Sequence, residues 1–91
     1  MPLHYSYNIF PLGDQALTID FGNRIDRDVN AEVLGVFKML KESDLENVID
    51  VVPAYSSLTI FYDTVSVLDH CKEDETAFEY MTRKLNHLFM G

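Results

Sequence analysis

The chain has 91 residues, 47% of them apolar, with six Phe, five Tyr and no Trp, and its fifteen acidic and seven basic side chains give a formal charge of −8. That length fits one domain with one core, the apolar share excludes intrinsic disorder, and the negative charge disfavours nucleic-acid phosphates and anionic membrane surfaces as partners. A single cysteine, Cys71, closes no internal disulfide, no run approaches the ~20 apolar residues of a membrane span, and the opening residues lack a basic and apolar leader, so the expected location is the cytoplasm.

From Tyr5 to Phe10 apolar and polar residues alternate, with Tyr5, Tyr7 and Ile9 on one face, which predicts a strand. Pro11-Leu12-Gly13-Asp14 supplies turn chemistry, and Ala16 to Gly22 reads as the return strand, with Leu17, Ile19 and Phe21 inward and Gly22-Asn23 closing it. Asp26 is a good N-cap for a helix whose buried stripe is Val29, Val33, Leu34, Val36, Phe37 and Leu40. Asp26 and Asp28 at its start and Lys38 and Lys41 at its end complement the helix dipole.

Val48 to Val52 and Ser57 to Tyr62 predict a second strand pair around Pro53-Ala54-Tyr55-Ser56, with Pro53 at a strand end or edge because it has no amide to donate. Asp63 to Lys72 shows no sustained period and reads as a loop with one short turn of helix. From Asp74 to Met90 a second helical stripe runs through Phe78, Met81, Leu85, Leu88 and Phe89, acidic at its start and basic later. The order β-β-α-β-β-α predicts an α+β fold, a two-layer sandwich in which a four-stranded sheet carries both helices on one face and leaves its other face to solvent or a partner.

Asp69-His70-Cys71 is the cluster closest to ligand or nucleophile chemistry. Consecutive residues diverge, however, and no second cysteine or spaced histidine pair completes a metal site, so Cys71 reads as a half-buried loop cysteine. His4 and His87 lie far apart in the sequence, and no phosphate-binding glycine loop is present. No catalytic residue, cofactor site or metal site is therefore expected.

Two segments that pair a turn with a hydrophobic strand carry a resemblance. Gly13-Asp14-Gln15-Ala16-Leu17 leading to Asp20-Phe21-Gly22, and Val48-Ile49-Asp50-Val51-Val52-Pro53-Ala54-Tyr55-Ser56-Ser57-Leu58, resemble the opening stretches of the allophanate hydrolase subunit 1 (5-oxoprolinase B component) and KipI-type family. Position 20, often Glu there, is Asp20 here, and position 56, often basic there, is Ser56.

The resemblance implies that residues 1–91 form the amino-terminal domain and that the family's following cyclophilin-like domain is absent from this chain. It implies a non-catalytic role in assembling an ATP-dependent amide hydrolase by holding the protein's own cyclophilin-like domain and a companion subunit, ATP being used by the assembly and not by this domain. The alternative is a KipI-like inhibitor that binds the dimerisation domain of a sensor histidine kinase. Gly13, Asp14, Pro53, Tyr55 and Ser57 are the candidate partner-binding positions.

Overall fold

A computed structural model describes residues 2–22, 25–43 and 45–90. Alternating inward residues and turn-rich connections produce four strands, β1 (Asn8–Pro11), β2 (Ala16–Asp20), β3 (Val48–Pro53) and β4 (Ser57–Tyr62). They form one antiparallel sheet in the order β1-β2-β4-β3, so the two hairpins meet through β2 and β4 and leave β1 and β3 as the edges. The helices are α1 (Arg27–Ser43), α2 (Thr64–Leu68) and α3 (Ala77–Met90).

One core joins the sheet to the helices. Leu17, Ile19 and Phe21, Leu58, Ile60 and Tyr62, and Val51 meet Val29, Val33, Val36 and Leu40 of α1 and Met81, Leu85 and Phe89 of α3, as the expected two-layer α+β sandwich requires. The opposite sheet face carries Phe10, Thr18, Thr59 and Val52 in one cross-strand row and Ala16 and Phe61 in the next. Phe10, Val52 and Phe61 are exposed there, while the hydroxyls of Thr18 and Thr59 meet at 3.3 Å.

Most differences from the sequence reading have local causes. The alternation predicted from Tyr5 does pack Tyr5 and Tyr7, both partly buried, against the core, with Leu3 ahead of them doing the same, yet the ladder begins only at Asn8. The backbone ahead of it is captured by α1 instead: the amides of His4 and Tyr5 donate to the Glu32 carboxylate at 2.6 and 3.1 Å. At the far end of β2, Gly22 takes a φ of 98° and turns the chain, its amide donating to Asp20 Oδ1 at 3.0 Å; Asn23, expected in the same turn, lies outside the described residues.

Asp26 serves α1 as expected, accepting from the Asp28 amide at 2.8 Å. Leu34, assigned to the buried stripe, is instead 49% exposed, because a residue one position beyond Val33 is turned about 100° round the helix. The short turn expected between Asp63 and Lys72 is α2, capped by Asp63 Oδ1 accepting from the Val65 and Ser66 amides. Helix α3 starts at Ala77 and not at Asp74 because Thr76 and Glu79 form a reciprocal capping box: Thr76 Oγ1 accepts the Glu79 amide at 3.1 Å and Glu79 Oε1 accepts the Thr76 amide at 2.9 Å.

Candidate functional site

The five candidate positions separate into two groups. Gly13 and Asp14 occupy the β1–β2 turn, and Pro53, Tyr55 and Ser57 flank or form the β3–β4 turn. Because Ala16 pairs with Phe61 whereas Asp20 pairs with Ser57, the two turns lie at opposite ends of the sheet, separated by the length of β2, about 14 Å at ~3.4 Å per residue. They do not converge on one site.

At the first end the chain reverses with Gly13 at a φ of 70°, a left-handed conformation that favours glycine, and a side chain there would meet nothing within 4 Å. The Asp14 carbonyl accepts from Thr64 Oγ1 at 3.1 Å, fastening the turn to the start of α2. A shallow groove here is floored by Tyr62, Thr64 and Ala77 beside Pro11 and Gly13. Burial holds the Tyr62 phenol above its ordinary value of 10.0, with the nearby Asp14 charge adding to the rise, so Tyr62 is a neutral core hydroxyl at physiological pH.

At the second end the loop backbone is held at three points. The Ala54 amide donates to the Ser57 carbonyl at 2.8 Å, the Phe21 amide to the Ser56 carbonyl at 3.0 Å, and Asn30 Nδ2 of α1 to the Tyr55 carbonyl at 2.9 Å. Tyr55 is nevertheless 43% exposed, and its ring projects from a loop whose main chain is already ordered. Pro53 sits inward on the edge strand β3 opposite Leu58, as its missing amide demands, and Ser57 opens β4 opposite Asp20.

The Asp69-His70-Cys71 cluster is divided among unrelated partners. His70 Nδ1 contacts the Ser66 carbonyl at 2.9 Å and Nε2 lies 3.4 Å from Glu46, while the half-buried Cys71 thiol points to the Thr76 carbonyl at 3.7 Å. Burial and then the Glu75 charge push that thiol above its ordinary value, which makes it a poor nucleophile. Among the described residues no group of three or more His, Cys, Asp or Glu side chains is placed to hold a metal, and no helix is long and apolar enough to cross a membrane.

Sequence reasoning missed Glu32, whose side chain is only 4% exposed and which accepts both the His4 and Tyr5 amides, with His4 Nδ1 at 3.3 Å. Its signal was a carboxylate lying between Val29 and Val33, inside the apolar stripe of α1.

Comparison with known proteins follows the same outline. Residues 7–89 match the family model described as carboxyltransferase domain, subdomain C and D. The B component of Bacillus subtilis 5-oxoprolinase, one of that enzyme's subunits, is 36% identical over 78 residues, 85% of this chain but 32% of that protein, so the chain spans about a third of that relative's length. The amino-terminal domain of the histidine kinase inhibitor KipI from Bacillus subtilis superposes with a TM-score of 0.78 at 32% identity, covering 96% of this chain and 87% of that one. A conserved protein of Pyrococcus horikoshii gives 0.67 at 33% identity, over 84% of this chain and 33% of its own.

Proposed function

Because the chain belongs to the carboxyltransferase domain, subdomain C and D, family, we propose that it acts as a docking domain in a multi-subunit amide hydrolase of the 5-oxoprolinase type and performs no chemistry alone. Kinship with the B component of 5-oxoprolinase supports this reading. The observation that carries it is Tyr55, exposed by 43% on a loop whose backbone is pinned by Ala54, Ser56 and the Asn30 side chain. An aromatic ring presented on ordered main chain loses little entropy on binding, which is the condition for an interface hot spot.

The docking role predicts that Tyr55→Ala changes the stability of the chain by less than about 0.5 kcal/mol, the range of surface substitutions. Affinity for a companion hydrolase subunit should fall by about 2 kcal/mol, as for an aromatic anchor. Urea unfolding and calorimetric titration measure the two quantities, and a large stability loss with unchanged affinity would refute the role. The chain purified alone should turn over neither 5-oxoproline nor allophanate, and ATP would be consumed only by the assembly.

The likeness to the KipI amino-terminal domain across 96% of this chain favours a second reading, in which the same surface engages the dimerisation domain of a sensor histidine kinase. Titrating that helical domain and the companion subunit in parallel, with Tyr55→Ala as the control, separates the two partners.

A further inference from the structure

One margin of the sheet is closed to main-chain recognition. Along β3, Asp50 Oδ1 accepts the Val51 amide at 2.8 Å, Pro53 has no amide, and a register shift between Val48 and Asp50 bends the strand. These are devices by which natural sheets block pairing at an edge. The side-chain surface most suited to a partner lies elsewhere, at the β1–β2 turn, where the groove over Tyr62 opens between Pro11, Leu68 and Phe78.

The walls of that groove are fixed before anything binds. Thr64 Oγ1 ties α2 to the Asp14 carbonyl at 3.1 Å, Asp63 caps α2, and the Thr76–Glu79 box sets the first turn of α3. Apolar side chains are nevertheless left to solvent: Leu68 in the wall, and Leu12 and Val65, each next in the chain to a lining residue, are all more than half exposed. The floor is polar at one point. Tyr62 is 1% exposed, and among the described residues no hydrogen-bond partner is found for its hydroxyl. A buried phenol in that state has a donor and an acceptor unmet, which a group entering the groove can satisfy.

Charge decides what that group is. Residues 63–79 hold six of the chain's fifteen acidic side chains but only one of its seven basic ones, Lys72. Arg83 pairs with Glu75, whereas among the described residues Asp14, Asp69, Glu73 and Asp74 have no ion-pair partner. The Tyr55 end is mixed by comparison, since residues 20–30 carry three Asp and two Arg. Positive charge is therefore drawn to the groove end of the molecule. The Asp14 charge is felt by the Tyr62 phenol, so the two lie within electrostatic reach of each other, and both oxygens can accept from an ammonium or guanidinium group.

We propose that the groove takes a basic amphipathic segment of a partner protein, one lysine or arginine donating to the Asp14 carboxylate and the Tyr62 phenol oxygen while apolar neighbours cover Pro11, Leu68 and Phe78. This surface is separate from Tyr55, which lies at the opposite end of β2. The domain thus presents an aromatic anchor at one end and an acid-rimmed groove at the other.

Titrating the 91-residue chain, labelled with nitrogen-15, with an amphipathic peptide of about fourteen residues built from leucine and lysine tests the proposal; the same peptide with glutamate in place of lysine is the control. A Kd below about 1 mM is expected for the lysine peptide alone, with amide shifts centred on Asp14, Thr64, Leu68 and Ala77. Asp14→Asn and Leu68→Ser, both at exposed positions, should each raise Kd by about fivefold, and Tyr62→Phe, which keeps the ring in the core, by about threefold. Glu42→Gln removes the same unit of charge from an exposed position of α1 outside the groove and should leave Kd unchanged. Failure of the lysine peptide to bind at about 1 mM overturns the proposal. So do equal losses for Asp14→Asn and Glu42→Gln, which would reduce the attraction to net charge, and equal binding of the glutamate peptide, which would reduce it to apolar area. Shifts centred on the Tyr55 loop would also overturn it, by moving the basic partner to the other surface. Tyr55→Ala should leave this titration unchanged, so the groove and the Tyr55 docking role stand or fall separately.

Discussion

Glu32 shows how one side chain redirects a segment. Its carboxylate accepts two consecutive main-chain amides from residues 28 and 27 positions earlier and holds Leu3, Tyr5 and Tyr7 over the core without a strand partner. Hydrogen bonds to a charged acceptor are among the stronger ones, so Glu32→Ala should destabilise the chain by about 2 kcal/mol, measured by urea unfolding. Amide exchange should accelerate at His4 and Tyr5 well before it does in β2, since those amides depend on this carboxylate. A loss spread evenly over the sheet would show that Glu32 stabilises the whole fold and not the segment. This contact was illegible from sequence because it joins residues far apart by a polar group where the stripe of α1 calls for an apolar one. The hairpin strands and α1 were legible because alternation and 3.6-residue periodicity are local.

At the scale of elements, the start of α3 concentrates charge chemistry in a few residues. Arg83 donates to Glu75 through Nε at 2.9 Å and Nη2 at 3.1 Å, and the Lys72 amide donates to the same carboxylate. The Arg83 hydrogen bond is the largest cause holding the Glu75 carboxyl below its ordinary value of 4.5, burial opposing it and the Lys72 amide assisting. A carboxyl lowered in the folded state contributes stability that is present above the unfolded pKa and disappears as pH falls through the folded one. The chain should therefore lose stability below about pH 4.5 more steeply than Glu75→Gln does, in thermal melts across an acid series; parallel curves would remove this pair from the account. Thr76→Ala, which opens the capping box, should cost about 1 kcal/mol at any pH in that range. The sequence showed an acidic helix start but placed it three residues early at Asp74, since several carboxylates in a row do not reveal which one faces the cap. Helix α2 was legible only as a short turn, because five residues cannot display a period.

For the whole molecule, the four-stranded α+β plan could be read from two strand pairs each followed by a helical stripe, but strand order could not. Either strand of each hairpin had an apolar face, and only packing selects β2 against β4. That choice also separates the candidate turns: Gly13 and Asp14 share a sequence motif logic with Tyr55 and Ser57 yet finish at opposite ends of β2. The docking role proposed for Tyr55 and the turn conformation held by Gly13 are thus separable by mutation.

The Asp50 carboxylate on the Val51 amide has a consequence for solubility. A sheet that can be extended from both margins is a monomer in the polymer chemist's sense and propagates without limit, whereas one extended from a single margin terminates after one addition. With β3 sealed, concentrated solutions should remain clear and unreactive to thioflavin T on prolonged storage. Asp50→Ala, which frees the Val51 amide and also removes the 3.5 Å contact with Lys41, should open the β3 margin to pairing and make stored solutions slowly form thioflavin-positive fibrils. Equal ageing of the two proteins would show that the bulge at Ile49 and Pro53 suffice as chain stoppers.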